Sequence, residues 1–311
     1  MSLSEGWNEA DLLGLLTHGP SIGSGPGLAM VEIGPGDDAA VVELQENRYS
    51  ICADLITENV HFDLEYFPLR AVGFKAIAVN ISDLAAMSST PLFATVTIAA
   101  PKSLDLLDLL AGIKSAAETY GIAVIGGDLS ASNTLTVSVT AFGINNRSVM
   151  LRSCALAGET IMVTGPLGGS QAGLKVLQSG QPQNEMETSL ANRHLFPVAR
   201  VREGEALGRI GTRAAMDISD GLLIDLWRLC DASGVGFDLS EVPIAAGATL
   251  DDALSGGEDY ELLFTTDDPQ LVARTFSEEG LLPPTTIGRI VADIGSRTLY
   301  GEPCAPKGYL H

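Results

Sequence analysis

Six aspartates carry the chemistry most open to reading in this sequence: Asp38, Asp54, Asp83, Asp128, Asp217 and Asp220. Each stands at the end of a predicted element or in a turn, beside small residues or an apolar segment. Asp38 lies in Gly36-Asp37-Asp38-Ala39-Ala40, Asp128 follows Gly126-Gly127, and Asp217 and Asp220 flank Ile218-Ser219 ahead of Gly221. Carboxylates held at loop tips suit hard cations, because Mg²⁺ takes oxygen ligands and shares its remaining positions between water and substrate phosphates. One aspartate before an apolar run is ordinary capping or Asx-turn chemistry. The joint pattern is different, since the chain has 18 basic against 39 acidic residues and a formal charge of −21. That balance excludes a nucleic-acid groove, which needs clustered Lys and Arg to displace counterions. It would also repel ATP unless divalent cations intervened.

The elements that must hold these carboxylates follow from hydrophobic periodicity. The first half reads as a short helix over 9–17, strands over 39–44 and 50–53, a long Ala-rich helix over 71–88, a strand over 92–99, a helix over 104–120, a strand over 122–125 that ends at Gly126-Gly127-Asp128, and a strand over 134–143. Asn80-Ile81-Ser82-Asp83 could form a cap inside the long helix. Periodicity stops in the polar stretch around 144–152, which places a domain boundary there and gives domains 1–147 and 148–311. The second half reads as strand 160–164, helix 170–178, a mobile polar loop over 179–189, helix 198–210, strand 214–216, helix 222–232, strand 262–265, helix 269–280 and strand 286–291. This mixture predicts an α/β or α+β architecture of two domains. The loop Gly165-Pro166-Leu167-Gly168-Gly169-Ser170 could offer backbone amides to an anion at a helix N-terminus. It lacks the Gly-Lys-Ser/Thr ending of a phosphate-binding P-loop.

Cys52, Cys154, Cys230 and Cys304 are scattered without zinc-ligand spacing, as expected of a reducing compartment. The first Lys or Arg is Arg48, so no secretory leader is expected, and no apolar run approaches the ~18 residues of a membrane span. A cytoplasmic protein without membrane partner is expected.

The motifs together resemble the thiamine-monophosphate kinase family of the aminoimidazole-ribonucleotide-synthetase-like superfamily. The resembling segments run in family order: Gly36 to Ala40; Asp54 with His61-Phe62; Lys75 to Met87; Gly126-Gly127-Asp128; His194-Leu195 with Pro197 and Arg200; Asp217-Ile218-Ser219-Asp220-Gly221-Leu222; and Ser255-Gly256-Gly257-Glu258-Asp259-Tyr260-Glu261-Leu262. The resemblance implies an N-terminal domain whose sheet pairs with that of a second copy to form a dimer barrel, and a C-terminal α/β sandwich. It implies transfer of a phosphoryl group from ATP to thiamine monophosphate with several Mg²⁺ ions, ATP lying in a cleft at the dimer interface.

By the same resemblance Asp38, Asp54, Asp83, Asp128, Asp217 and Asp220 match metal positions, with Asp54 and Asp220 also positioning the reactants. Gly127, Asp128, Arg152 and Ser219 match nucleotide positions; His61, Glu258 and Tyr309 match acceptor positions. Arg152 could fork onto phosphate oxygens, His61 could donate to the acceptor phosphate, and Tyr309 could face a cationic ring or latch the tail. Two departures stand out: Cys52-Ala53 replaces the Ser/Thr pair usual before the aspartate, and Leu110 stands where many members carry a nucleotide-contacting Tyr. Alternative readings are another ATP-using member of the superfamily, or a catalytically silent Mg-nucleotide-binding dimer.

Overall fold

Period-two alternation in the first half becomes a six-stranded sheet in the computed structural model, which describes residues 26–34 and 36–309. Its strands are β1 (Val31–Ile33), β2 (Ala40–Leu44), β3 (Asn47–Thr57), β4 (Thr90–Ala100), β5 (Ala123–Ala131) and β6 (Thr136–Ile144), in the spatial order β1-β2-β3-β6-β4-β5. Neighbours are antiparallel except β4 and β5, which are parallel and joined through helix α2 (Leu107–Tyr120).

Alternation decides the faces. Cys52 and Ile56 of β3, Val137, Val139 and Ala141 of β6, and Ala94, Val96 and Ile98 of β4 join one core with Ile77, Ile81 and Leu84 of helix α1 (Leu69–Ala86) and Leu109 and Ile113 of α2. The opposite face exposes Leu55 and Phe93. Helix α1 is buried almost all round, because the sheet covers one side and the second half of the chain another. Its contact with α2 depends on two glycines. A Cβ at Gly73 would lie 2.1 Å from the Leu109 carbonyl oxygen, and one at Gly112 would lie 2.0 Å from that of Arg70. Gly73→Ala and Gly112→Ala should each cost about 3 kcal/mol or more in urea unfolding, the upper end of overpacking penalties. Gly27→Ala, with nothing within 4 Å, should change little.

The second sheet has seven strands: β7 (Thr160–Val163), β8 (Ala214–Asp217), β9 (Gly236–Leu239), β10 (Leu262–Thr266), β11 (Thr285–Val291), β12 (Arg297–Leu299) and β13 (Glu302–Pro303), in the order β13-β12-β9-β11-β7-β10-β8. The helices of this half are α3 (Gly169–Ser179), α4 (Glu185–Leu195), α5 (Val201–Arg209), α6 (Leu222–Ser233), α7 (Leu250–Ser255) and α8 (Pro269–Glu278). Leu222, Leu226 and Leu229 of α6 pack with Ile161, Val163 and Leu263. Met162 and Phe264, the alternate residues, pack instead with Leu207 of α5 and Val272 and Phe276 of α8. Helices therefore cover both faces, the expected α/β sandwich. No described helix is long and apolar enough to cross a membrane.

Several boundaries differ from the sequence-based expectation. Strand β3 runs through Asp54 instead of stopping at 53, and β5 contains Gly127 and Asp128 instead of ending before them. Helix α1 passes through Asn80–Asp83 unbroken, since the Asn80 amide donates to the Ala76 carbonyl at 3.0 Å within the helix. The polar stretch 179–189, expected as a mobile loop, holds the start of α4. Asn184 caps it, accepting from the Glu187 N–H at 2.9 Å, while the Glu187 carboxylate accepts from the Asn184 amide at 2.9 Å and the Gln183 N–H at 2.7 Å. This Asn-x-x-Glu cap was concealed by its own polarity. The expected helix over 9–17 lies outside the described residues.

Candidate active site

Strand ends and one buried helix bring the carboxylates together. Asp38 lies in the turn before β2, Asp83 on α1 and Asp217 at the end of β8; one carboxylate oxygen from each lies within 4.8 Å of the others. Burial, followed by the charges of Asp54, Asp217 and Asp38, pushes the Asp83 carboxyl well above its ordinary value. Asp217 is pushed well up by burial and then by Asp38, against the Ser82 hydroxyl that donates to it at 2.6 Å. Asp54 is placed by its neighbours: its N–H donates to the buried Asn80 side chain at 3.0 Å, tying β3 to α1. The adjacent Cys52 thiol, also pushed well up by burial and by Asp83 and Asp54, donates to the Asn80 carbonyl at 3.2 Å. It thus anchors the strand as a neutral thiol, at the position where the sequence departs from the pattern it resembles.

The crowding of like charges shows what this cluster would accept. Hard oxygen donors without thiolate or imidazole fit Mg²⁺ rather than zinc, and a cation would offset the repulsion that holds these protons on.

Two arginines and two further aspartates complete the frame. Arg152 forks onto Asp38, Nη2 at 2.6 Å and Nε at 3.3 Å, while its N–H donates to Asp37 at 3.1 Å. Burial alone would weaken its hold on the proton, but Asp38 and Asp37 outweigh this. Asp37 is itself raised to about 6 by burial and by Asp38. Arg228 Nη1 meets Asp220 at 2.5 Å and Asp225 at 2.9 Å. Asp225 was missed in the sequence. One of its oxygens accepts the N–H groups of Ser219, Asp220 and Gly221 at 3.1, 3.0 and 3.0 Å, which fixes the turn that carries Asp220. Its only signal was an acidic residue in the first turn of the helix after Ser-Asp-Gly.

Asp38, Asp54, His61, Asp83, Arg152, Asp217, Ser219, Asp220, Glu258 and Tyr309 all line one cavity of ≈ 780 Å³. Gly127 and Asp128 do not. For Asp128 the register explains why: Asp54 pairs with Val139, which pairs with Val96 and so with Gly127, in a row whose Val139 and Val96 face the helices. Leu55, Ser138, Thr97 and Asp128 form the next row, on the open face. Within one chain the sheet itself separates Asp128 from Asp54, so the expected convergence of six carboxylates reduces to five. Every residue of β5 is exposed.

The acceptor candidates are held differently. His61 Nδ1 accepts the Thr57 N–H at 3.1 Å, which leaves the proton of the neutral ring on Nε2 as a donor. Glu258, at φ +67°, donates its N–H to the Ser219 carbonyl at 2.7 Å. Tyr309 both latches and lines: its N–H donates to the Asp220 carbonyl at 2.9 Å, and the residue borders the cavity. Tyr260, also missed, borders the cavity at φ +51°; burial and then Glu258 push its phenol well up, so it stays protonated. Leu110 is half exposed on α2 and borders no part of this cavity.

The glycine-rich loop already has its anion. The Gly168 and Ser170 N–H groups donate to Asp259 at 2.5 and 3.1 Å. Burial raises the Asp259 carboxyl to about 6, so the folded protein keeps a proton there that the unfolded chain releases above its ordinary value of 3.8. This contribution to stability is full at low pH and is lost as pH rises towards about 6. The advantage of the wild type over Asp259→Asn should shrink by on the order of 2–3 kcal/mol between about pH 4 and pH 7. A constant difference in urea unfolding would contradict it.

Residues 36–145 match the family described as AIR synthase related protein, N-terminal domain, and 157–300 match its C-terminal domain. The thiamine-monophosphate kinase of Aquifex aeolicus is 35% identical over 292 residues, 89% of this chain and 92% of that one. The chain belongs to the thiamine-monophosphate kinase family. Its Bacillus subtilis relative is 36% identical over 90% of this chain and 94% of its own. The solved structure of AaThiL complexed with AMPPCP and TMP superposes with a TM-score of 0.86 at 31% identity, covering 100% of this chain and 99% of that one. The two-sheet architecture is therefore that of the kinase family.

Proposed function

We propose that this kinase transfers the γ-phosphoryl group of ATP to thiamine monophosphate, giving ADP and thiamine diphosphate. One observation carries the reading: five of the six expected aspartates and two arginines share a cavity with His61, Glu258 and Tyr309, in a chain of this family. The acceptor is a phosphate monoester with a second pKa near ~6, already largely dianionic at neutral pH. It needs no strong general base. An acceptor-phosphate oxygen forms a bond to the γ-phosphorus while the bond to the β–γ bridging oxygen breaks, and ADP leaves with the electron pair. The obstacle is bringing two polyanions into line, so catalysis is positioning and electrostatics.

Asp38, Asp83 and Asp217 would hold Mg²⁺, with Asp54 and Asp220 beside them. When bound, Mg²⁺ offsets the charge of the phosphoryl oxygens. Arg152, turned to Asp38 by its fork, stands ready to share its donors with a nucleotide phosphate. Asp225 holds the Ser219–Gly221 amides in place. His61 Nε2 donates to the acceptor phosphate, and Glu258 with Tyr309 faces the thiamine cation.

The open face of the first sheet, with Leu55 and Phe93 exposed, is where a second copy would dock as a homodimer, and Gly127 and Asp128 would then serve ATP across that interface. Sedimentation returning only monomer would remove this part. Four free cysteines and the absence of a membrane-length helix among the described residues accord with a cytoplasmic site.

The deciding assay mixes purified protein, ATP and thiamine monophosphate with and without Mg²⁺ and measures thiamine diphosphate by chromatography. Mg-dependent product is expected. No product above a no-enzyme control would reject the kinase reading and leave a silent nucleotide-binding dimer.

A further inference from the structure

Lys75 is the anomaly of helix α1. Its side chain is 0% exposed in the middle of an apolar helix, where an ammonium is costly unless paired. Its Nζ lies 2.6 Å from Glu258 Oε1 and 5.3 Å from the centre of the Phe67 ring. Lys75 does not border the cavity, whereas Glu258 does, with 24% of its side chain exposed. The lysine therefore stands behind the carboxylate, on the side away from the cavity.

The other oxygen of Glu258 faces a buried histidine. His194 Nδ1 lies 3.3 Å from Oε2 and 3.0 Å from the Ser170 hydroxyl. Burial and then Lys75 lower the His194 pKa to about 4, so the ring is neutral and Lys75 supplies the one full positive charge of the group. Burial alone would favour a protonated, uncharged Glu258; Lys75 above all reverses this and keeps it ionised. The backbone contributes too, through the Glu258 N–H bond to Ser219 and the left-handed φ of +67°. Few freedoms remain to this carboxylate.

We propose that Lys75 is a positioning residue for acceptor specificity, fixing Glu258 as an oriented carboxylate towards the cationic, non-phosphorylated part of the acceptor. This rests on the kinase reading above, in which Glu258 faces the thiamine moiety. So costly an ammonium is buried off the cavity because its effect is exerted wholly through Glu258, with His194, itself against Ser170, beside the far oxygen. Loss of Lys75 would let Glu258 take up a proton and turn, weakening capture of the cation without removing a group from the phosphoryl-transfer end.

Steady-state kinetics of the full-length protein with Mg-ATP and thiamine monophosphate test this. Lys75→Met should raise the acceptor KM by about tenfold to a hundredfold, the scale of one charge-assisted contact, with a much smaller fall in kcat and little change in the KM for ATP. Lys75→Arg should recover part of the loss. Lys75→Met/Glu258→Gln should be no worse than Glu258→Gln alone, because the lysine acts only through that carboxylate. The double variant also leaves no unpaired buried charge, so it decides the matter if Lys75→Met does not fold. An unchanged acceptor KM in Lys75→Met would overturn the proposal, as would a parallel loss in both KM values and kcat, or additive losses in the double variant. Wild-type protein that makes no thiamine diphosphate would instead refute the kinase reading itself.

Discussion

Asp54→Asn and Asp220→Asn should each lower kcat by roughly 10²–10³-fold or more, the scale on which a preorganised electrostatic contact acts, with the protein still folded. The frame around both positions survives these changes. The Asp54 N–H keeps its bond to Asn80 at 3.0 Å, since that bond uses the backbone. Arg228 keeps Asp225 at 2.9 Å, and Asp225 keeps the three amides of the turn. The carboxylate-to-amide change removes one negative charge from the cation-attracting end of the cavity and alters almost no volume. Turnover at saturating ATP, acceptor and Mg²⁺, beside thermal melting of the same samples, checks this. Wild-type turnover in well-folded variants would take Asp54 and Asp220 out of the mechanism.

Free thiamine should be phosphorylated at least roughly 10²–10⁴-fold more slowly than thiamine monophosphate, the range a missing general base commands. An alcohol must lose its proton to attack, whereas a phosphate dianion is a ready nucleophile. Neither histidine of the site is placed to take that proton. His61 already accepts the Thr57 N–H through Nδ1, and His194 is buried, with a pKa lowered to about 4 by burial and Lys75. Free thiamine also lacks the anion that would draw cations to the acceptor end. Competing the two acceptors in one reaction and separating products by chromatography gives the ratio directly; comparable rates would show that the acceptor phosphate is not the nucleophile.

Much of the site was legible because turn chemistry leaves marks in sequence. Asp38 and Asp220 sit beside Ala, Ser or Gly and Asp217 ends a short apolar segment, and strand ends and turns are where the structure holds them. Asp54 was legible as a residue but not as a place: its strand continues to Thr57, and hydrogen bonding across β6 extends it beyond what local alternation indicates. Asp128 shows the limit of reading one chain as a line. A shift of one position along a strand moves a side chain to the other face, and nothing local to Gly-Gly-Asp reveals that Leu55 rather than Asp54 shares its row. The roles of Lys75 and Asp225 were invisible for another reason. A lysine in an apolar helix and an aspartate in a first turn are ordinary locally; their roles exist only through Glu258 and the Ser219–Gly221 amides, far away or folded back. The cap of α4 shows the converse, a local signal lost because polar residues resemble a loop until Asn184 and Glu187 are read as a pair.

Anomalous diffraction from crystals grown with Mn²⁺, a nucleotide analogue and thiamine monophosphate tests the central claim most directly. Metal peaks should lie within coordination reach of the Asp38, Asp83 and Asp217 carboxylates. Both ligands bound in the cavity with no metal peak at those three carboxylates would contradict it.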